Sequence, residues 1–310
     1  MSIKITFLGT AGSVPTPNRN LPAIVMKRQN EQIMFDCGEG TQRQMIRAQT
    51  GFHKKSKILI SHLHGDHVLG IPGLFQTMAL MDRKKKVEVY GPVGIKQFLD
   101  CSKDVLKFGL SFPVEIFEIN PGVICEEKEY SIKAIKSSHT EESLSFGFFE
   151  KPRPGKFYPE KAKKLGVPEG RLWSDLQKGE TITLSSGKTI KPLDICGPMR
   201  RGRKIIYTGD TRPIKNFAIF ALKADLLIHE STFDDSLIEK ATADGHSTPS
   251  QAAKLAKKAE VKKLVLTHIS ARYPNTEILL EQAKKIFPNT IVANDLMELE
   301  MPFRDNSTIF

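Results

Sequence analysis

Three histidines and one aspartate fall within six consecutive residues of this chain, in the sequence H-L-H-G-D-H. In an extended segment His62 and His64 point to the same side, so both can reach one cation. Gly65 lets the chain turn and present Asp66 and His67 to a neighbouring cation. Neutral imidazole and carboxylate ligands suit zinc or a similar divalent metal. A single loop histidine is usually structural or solvated, but this density of ligand types predicts a metal site.

Three further side chains that bind metals share one context. His139, Asp210 and His268 each come just past the end of an apolar run, where sheet proteins assemble their sites. Each of these residues alone has an ordinary structural interpretation, but their shared placement favours a role as metal ligands. We predict two metal sites with a shared carboxylate: His62, His64 and His139 at site one, Asp66, His67 and His268 at site two, and Asp210 as the bridge. Metals about 3.5–4 Å apart can share a water and lower its pKa toward neutrality.

Two other histidines stand beside informative neighbours. His246 precedes a predicted helix start, a position that attracts anions, so it could contact a scissile phosphate and protonate the leaving group. A solvated loop histidine is the alternative, and context alone leaves both open. Glu230 could orient His246 in a histidine–carboxylate pair. We interpret His229 as structural and His53 as solvated.

The elements that must position these residues alternate between strand and helix patterns, which predicts an α/β fold with at least one large mixed sheet. The predicted strands are Ile3–Leu8, Ile33–Phe35, Ile58–Ile60, Val87–Tyr90, Ile132–Ile135, Leu144–Phe149, Ile205–Tyr207, Leu226–Ile228, Leu264–Leu266 and Met297–Met301. The predicted helices are Thr41–Ala48, Leu69–Met81, Gly94–Ser102, Pro249–Ala259 and Glu277–Ile286.

Residues 151–204 differ in composition from the rest of the chain. They are rich in Pro, Gly and Lys, with one short helix predicted around Glu160–Leu165. A disordered linker is one interpretation. We favour an arm inserted in the fold, because strand patterns resume after it and the candidate site residues lie on both sides.

The bulk properties suit an ordinary globular protein with an acidic partner. The chain has 310 residues, 40% hydrophobic composition and a formal net charge of +11. This charge favours nucleic acid, although a solvated lysine-rich surface would explain it equally well. The four cysteines are widely spaced, which argues against a thiolate metal site or a disulfide framework. We expect a cytoplasmic protein, since neither a signal peptide nor a membrane span is apparent.

The metal motif and the later His, Asp and His resemble the metallo-β-lactamase superfamily, whose signature is H-x-H-x-D-H. Within it, nine segments in order are similar to the short-form ribonuclease Z family. They are F-L-G-T-A-G-S-V-P, F-D-C-G-E-G-T-Q, S-H-L-H-G-D-H, G-I-P-G-L, Y-G-P, T-G-D-T-R, H-E-S-T-F, G-H-S-T and L-T-H-I-S-A-R-Y. The resemblance covers essentially the whole chain.

This resemblance implies a single αββα sandwich domain over residues 1–310, with a protruding arm near 151–195 that grips tRNA. It implies a homodimeric endonuclease with two zinc ions that removes the 3′ trailer from precursor tRNA, leaving a 3′-hydroxyl on the tRNA and a 5′-phosphate on the trailer. It also implies that Asp66 is both a metal ligand and the proton acceptor, and that His246 and Glu230 form a proton-transfer pair. One departure is Pro17, which stands where the family's N-terminal loop commonly has a basic residue.

Two competing hypotheses fit parts of this pattern. A small-substrate hydrolase of the same fold would need the metal site, but it would gain nothing from a basic arm. A nucleic-acid-binding protein with a vestigial metal site would use the charge, but it would not need a complete ligand set. Metal content and turnover of precursor tRNA against a model phosphodiester separate all three.

Overall fold

Two seven-stranded β-sheets form the framework of the computed structural model, which describes residues 2–303. The strands are β1 (Ile3–Gly9), β2 (Ala11–Gly12), β3 (Ala23–Arg28), β4 (Glu31–Phe35), β5 (Lys55–Leu59), β6 (Val87–Gly91), β7 (Val114–Glu118), β8 (Gly122–Glu126), β9 (Tyr130–Lys136), β10 (Leu144–Glu150), β11 (Ile182–Thr183), β12 (Thr189–Ile190), β13 (Lys204–Tyr207), β14 (Leu226–Glu230), β15 (Leu264–Thr267), β16 (Ile269–Ser270), β17 (Thr290–Val292) and β18 (Glu298–Met301).

Helices occupy most of the connections between these strands. They are α1 (Thr41–Arg47), α2 (Gly65–Val68), α3 (Gly70–Leu80), α4 (Ile95–Leu106), α5 (Pro159–Lys164), α6 (Arg171–Lys178), α7 (Pro192–Ile195), α8 (Phe217–Ala221), α9 (Ile238–Asp244), α10 (Pro249–Lys258) and α11 (Glu277–Lys284). A 3-10 turn at Asp235–Leu237 precedes α9. No helix within residues 2–303 has the length and apolar character needed to cross a membrane.

The first sheet has the strand order β18-β1-β3-β4-β5-β6-β7, and the second has the order β17-β15-β14-β13-β10-β9-β8. In each sheet one part is antiparallel, while β4 to β7 in the first and β13 to β17 in the second run parallel. Parallel neighbours direct their carboxyl ends to the same edge of the sheet. The loops after β13 and β15 therefore lie at one edge of the second sheet, and their side chains meet those of the loop after β5 of the first sheet. These loops carry most of the predicted site.

The fold has four layers. Side chains alternate sides along each strand, so each sheet packs against the other sheet with one face and against helices with the opposite face. Ile58 packs outward against α1, α3 and α4, whereas its neighbour Leu59 faces the second sheet. In the second sheet Ile205 and Tyr207 face the first sheet, and Ile206 packs outward with α8, α10 and α11. This order of helices, sheet, sheet and helices is the αββα sandwich that the family resemblance implied.

The structure adds elements that the sequence patterns did not predict. Strand β3 lies in the interior of the first sheet between β1 and β4, and β7 and β8 lie at the edges of the two sheets. Short helices α8 and α9 follow β13 and β14. All four cysteines are free: Cys37 and Cys196 are buried, Cys125 is half-buried and Cys101 is exposed.

Residues 150–203 cluster with Phe303 as a second compact unit. This unit has its own small apolar core, formed by helices α5 to α7 and the β11–β12 hairpin. The core side chains are Ala162, Val167, Leu176, Ile182, Ile190 and Ile195. A buried bidentate pair closes the two ends of the segment, with Arg203 donating to both Glu150 oxygens at 2.7 and 2.8 Å. The segment predicted as an arm, 151–195, is therefore a folded module with wider bounds.

A buried arginine joins two loops of the first sheet, and we expect its loss to destabilise the fold. The Arg83 guanidinium is fully buried and donates to main-chain carbonyls of Phe52, Lys54, Lys85 and Lys86. Burial lowers the pKa of Arg83 to about 10. Arg83→Met leaves these carbonyls without their donor, so we expect the free energy of unfolding in urea to fall by about 3 kcal/mol.

Arg43→Met is the matched control, because Arg43 is exposed on α1. Its free energy of unfolding should stay within about 0.5 kcal/mol of the wild-type value. An Arg83→Met protein as stable as the control would show that water replaces the guanidinium at no cost.

Candidate metal centre

The H-L-H-G-D-H segment follows β5 and changes conformation in its middle. His64 is extended, with φ −62° and ψ 145°, and Asp66 and His67 lie in the one-turn helix α2. The extended part places His62 and His64 together, with ring centroids 4.6 Å apart. The helical turn directs Asp66 and His67 to the opposite side of the cluster, so one short segment serves two adjacent positions.

The structure brings all seven predicted ligands into one cluster. His139 follows β9, Asp210 follows β13 and His268 follows β15. The ligand atoms of His62, His64 and His139 lie within 4.8 Å of one another, as do those of Asp66, His67 and His268. Each of these two triplets is a set that could hold one metal ion.

Asp210 lies between the two triplets. One carboxylate oxygen, Oδ2, is 3.8 Å from Nε2 of both His62 and His139 on one side. On the other side it is 3.4 Å from His67 Nε2 and 3.3 Å from His268 Nε2. Asp210 is therefore in reach of both triplets, which is the position that the predicted bridge requires.

Four of the histidines are held from behind through Nδ1, so that Nε2 points inward. The outer partners accept a hydrogen bond from Nδ1–H, which fixes the neutral ring with its lone pair on Nε2. The pairs are His62 with the Ser61 hydroxyl (3.0 Å), His67 with the Asp36 carboxylate (2.7 Å), His139 with the Gly245 carbonyl (2.9 Å) and His268 with the Thr232 hydroxyl (2.8 Å).

The inward-facing atoms of this cluster are better suited to bind a metal ion than to hydrogen-bond with one another. Nε2 of His67 and Nε2 of His268 face each other at 3.4 Å, so with both rings neutral their lone pairs would repel, and a cation between them removes that repulsion. Within residues 2–303, buried His62 Nε2 and Asp210 Oδ1 have no hydrogen-bond partner. Buried polar atoms without partners are costly and require an explanation, which a bound cation supplies.

The carboxylates around the cluster create a site that attracts cations. Burial alone would lower the pKa of His67, but the charges of Asp210 and Asp36 raise it well above its usual range. Burial also lowers the pKa of His62, and His67 lowers it further. One imidazole is thus driven to bind a positive charge while its neighbour stays neutral, as expected where a metal would replace protons.

Asp36 has a central role that sequence reasoning did not assign to it. Its buried carboxylate accepts from Ser61 N–H at 2.7 Å, from the Ser61 hydroxyl at 2.8 Å and from the Tyr207 hydroxyl at 2.6 Å, besides His67. The backbone of Asp36 is left-handed, with φ 54°. The available signal was its place in F-D-C-G directly after β4.

The structure also joins His246 and Glu230, which are buried beside the cluster. His246 Nδ1 donates to Glu230 Oε1 at 2.9 Å, and Thr211 N–H donates to the same oxygen at 2.8 Å. Burial would lower the pKa of His246, but the charge of Glu230 outweighs it and raises the pKa to about 9. His246 is thus a protonated imidazole near neutral pH, and the solvated-loop alternative is wrong for it.

The remaining two histidines lie as expected. His229 is buried and its Nδ1 bonds to the Glu230 carbonyl at 2.7 Å, which is a structural role. His53 is exposed.

The N-terminal loop reaches the cluster and is anchored from the far end of the sequence. Ser13 N–H donates to Asp66 Oδ2 at 2.9 Å. Arg19 donates to the Ala293 carbonyl at 2.6 Å, and Asn20 N–H donates to Asp295 Oδ2 at 2.7 Å. Pro17, the residue that departs from the family pattern, is exposed in this loop.

Comparison with known proteins agrees with this geometry. The model of the "Beta-lactamase superfamily domain" family matches residues 175–269, and that of "Anti-Pycsar protein Apyc1" matches residues 3–153. The chain is 48% identical to a ribonuclease Z of Methanosarcina acetivorans, over 97% of this chain and 99% of that protein. It is 45% identical to a ribonuclease Z of Nitrosopumilus maritimus, over 96% of this chain and 100% of that protein.

A solved structure gives the same result. The crystal structure of the short form of human tRNase Z matches with a TM-score of 0.72 and 30% identity, covering 96% of this chain and 99% of that one. The two facing sheets with a His/Asp cluster at one edge therefore define a protein of the metallo-β-lactamase fold. Within that superfamily, the chain belongs to the ribonuclease Z family.

Proposed function

We propose that this protein is a zinc-dependent endoribonuclease that removes the 3′ trailer from precursor tRNA. The observation that carries the proposal is the seven-residue His/Asp cluster, in a chain similar over its full length to proteins named ribonuclease Z. The second support is residues 150–203, a folded module with far more Lys and Arg than Asp and Glu. Such a basic surface matches a phosphate backbone.

The proposed cofactors are two zinc ions. His62, His64 and His139 would hold the first, Asp66, His67 and His268 the second, and Asp210 would bridge them. Imidazole nitrogen and carboxylate oxygen are donors that suit zinc. When bound, a metal pair of this kind lowers the pKa of a water and stabilises charge on the attacked phosphate.

Asp66 has two proposed roles, as ligand and as proton acceptor. Burial would raise the pKa of Asp66, but its contact with His268 and the charge of His67 outweigh burial and lower this pKa below its usual range. Ser13 N–H holds its Oδ2 at 2.9 Å. An ionised, oriented carboxylate at the cluster can accept the proton of the water that attacks phosphorus.

His246 is the proposed proton donor for the leaving group. Glu230 holds Nδ1 and keeps the ring protonated, which leaves Nε2–H available for the substrate. As water attacks phosphorus and the bond to the tRNA 3′ oxygen breaks, His246 would give that oxygen a proton. The products are then a tRNA 3′-hydroxyl and a trailer with a 5′-phosphate.

The basic module is the proposed tRNA-binding element. Its exposed cations are Lys156, Lys161, Lys163, Lys164, Arg171, Lys178, Lys188, Lys191 and Arg201. Arg153 is half-buried and stacks on Phe303 with its guanidinium carbon 3.4 Å from the ring centroid. Arg153 therefore has a packing role within the module.

The deciding experiment is incubation of the purified protein with a 3′-extended precursor tRNA, followed by mapping of both product ends. We expect one cut near the end of the acceptor stem, loss of activity in a chelator, recovery with zinc, and about two zinc ions per chain. Rapid cleavage of a model phosphodiester with no cleavage of precursor tRNA would instead support a small-substrate hydrolase. Homodimer formation and a cytoplasmic location remain predictions, which light scattering and cell fractionation would test.

Asp36→Asn should weaken metal binding about 10–100-fold, the usual effect of losing the partner that orients a metal-bound histidine. The Asp36 oxygens accept hydrogen bonds from the Ser61 N–H, the Ser61 hydroxyl and His67 Nδ1. In the variant the N–H₂ group of asparagine would replace one of these acceptors and face a donor. Zinc competition with a chromogenic chelator measures this directly. Asp100→Asn, at an exposed site on α4, is the control and should bind zinc normally. Normal affinity in Asp36→Asn would show that packing alone orients His67.

A further inference from the structure

The Thr232 hydroxyl lies at the junction between the candidate second metal site and the proposed proton donor. It is 2.7 Å from Glu230 Oε2 and 2.8 Å from His268 Nδ1. It is also 3.3 Å from His246 Nδ1. The residue is buried, with 4% of its surface exposed, and follows β14 in H-E-S-T-F. Neither the ligand set nor the His246–Glu230 pair accounts for this side chain.

Simple proton counting fixes the direction of these bonds. A hydroxyl has one hydrogen, and an ionised carboxylate can only accept. Thr232 therefore donates its hydrogen to Glu230 Oε2 and accepts the Nδ1–H of His268. His246 Nδ1–H already has a shorter bond, to Glu230 Oε1 at 2.9 Å. The result is a chain of hydrogen bonds from His268 through Thr232 to Glu230, which His246 joins from the other side.

Each bond in this chain has a consequence for a reactive group. The Nδ1–H bond puts the His268 lone pair on Nε2, which lies 3.4 Å from Asp66 Oδ2 and 3.3 Å from Asp210 Oδ2. The hydroxyl bond holds one oxygen of Glu230, so the other oxygen is left in place for His246. The ring of His268 is therefore oriented from behind by the Thr232 hydroxyl, on a backbone that is itself left-handed, with φ 57°.

We propose that Thr232 is a positioning residue that couples the two halves of the active centre, orienting His268 as a ligand and Glu230 as the partner of His246. The proposal rests on the function proposed above. It assigns to a single hydroxyl an effect on both metal affinity and leaving-group protonation. If Thr232 were needed only for its shape, valine could replace it without loss, because valine has the same shape without the hydroxyl.

The test compares Thr232→Val, which removes the hydroxyl, with Thr232→Ser, which keeps it. Zinc competition with a chelator should show one of the two ions bound about 10–100-fold more weakly in Thr232→Val. With zinc in excess, kcat should fall about 10²-fold, the lower end for an impaired proton-transfer group, with KM unchanged. Thr232→Ser should stay within about threefold of the wild type in both measurements, since each coupled bond is retained.

Two further variants distinguish the proposed coupling through the Thr232 hydroxyl from a general loss of stability caused by a Thr→Val change. Thr242→Val is the matched control, since that hydroxyl is exposed on α9 and bonds only to the Ile238 carbonyl at 2.9 Å among the described contacts. It should leave zinc binding and kcat unchanged. In a His246→Ala background, Thr232→Val should weaken zinc binding as before but reduce kcat much less. If Thr232→Val is insoluble, Thr232→Ala is measured in its place with the same expectations.

The proposal is overturned if the hydroxyl-free variant binds both zinc ions normally and keeps kcat within about threefold. It is equally overturned if Thr232→Ser is as impaired as Thr232→Val, because shape would then be the requirement. The chelator measurement needs no RNA. If wild-type protein fails to cut precursor tRNA, the proposed function fails, while zinc affinity still decides the role of Thr232.

Discussion

Asp210→Asn is expected to reduce cleavage of precursor tRNA by about 10⁴-fold or more, a loss typical of removing a group on which the whole reaction depends. The Asp210 Oδ2 lies within 3.8 Å of four imidazole nitrogens, two from each triplet. Burial would raise the pKa of Asp210, but His268 and His67 keep it well below its usual range. An asparagine amide lacks the charge, and its N–H₂ group cannot bind a cation.

Metal content provides a readout of Asp210→Asn that does not depend on activity. We expect at most one zinc ion per chain in the variant, against about two in the wild type, with an unchanged circular dichroism spectrum. Asp104→Asn makes the same chemical change at an exposed position of α4 and should keep both zinc content and activity. An Asp210→Asn protein with two ions and near-normal cleavage would contradict the bridging role.

Removal of the basic module should separate substrate binding from chemistry. We expect a protein in which a short glycine-containing turn replaces residues 150–203 to lose cleavage of precursor tRNA and to keep hydrolysis of bis(p-nitrophenyl) phosphate. Phe149 and Lys204, which flank the deletion, are paired in the antiparallel β10–β13 ladder, so a two-residue hairpin turn can join them. All seven proposed ligands, with Glu230 and His246, lie outside the deleted segment.

The salt dependence of tRNA binding tests whether the deletion variant loses cleavage because it has lost phosphate contacts. Each lost phosphate contact lowers the slope of log affinity against log salt by about one, so the variant should bind tRNA weakly and with a flatter dependence. A milder variant, Lys163→Gln with Lys164→Gln, should reduce the slope by about two at most while leaving the small-substrate rate unchanged. A deleted protein that is folded, zinc-loaded and fully active on precursor tRNA would show that the module has no part in binding.

The placement of the ligands could be predicted from the sequence because each follows a strand that is apolar enough to be recognised locally. His139, Asp210 and His268 all come directly after such strands, and the αββα order was implied by family resemblance. Asp36 and Thr232 could not be assigned in this way. Their roles depend on contacts with His67 and His268, which lie far along the chain and become neighbours only when the sheets assemble.

The boundaries and elements of the basic module were hard to predict from the sequence for a second reason. Its core side chains are few and separated by Pro, Gly and Lys, so no helical or strand period emerges from residues 151–195. The helix predicted at Glu160–Leu165 is present at Pro159–Lys164, but α6 was hidden by the preceding Pro168 and Gly170. Strand β3 is absent from the predicted strands although Ala23–Met26 are apolar and buried, because this short run ends in the charged pair Lys27 and Arg28.

The anchoring of the N-terminal loop by Ala293 and Asp295 sets an order of events during synthesis. A ribosome completes every proposed metal ligand once it has added His268, but the partners of Arg19 and Asn20 follow only later. The β18 strand that pairs with β1 comes later still. The last proposed ligand and the anchors of the loop that bonds Asp66 through Ser13 are therefore synthesised at different times. A chain that ends after residue 270 would carry every proposed ligand but would lack the anchors of this loop together with α11, β17 and β18, so we expect it to be unstable.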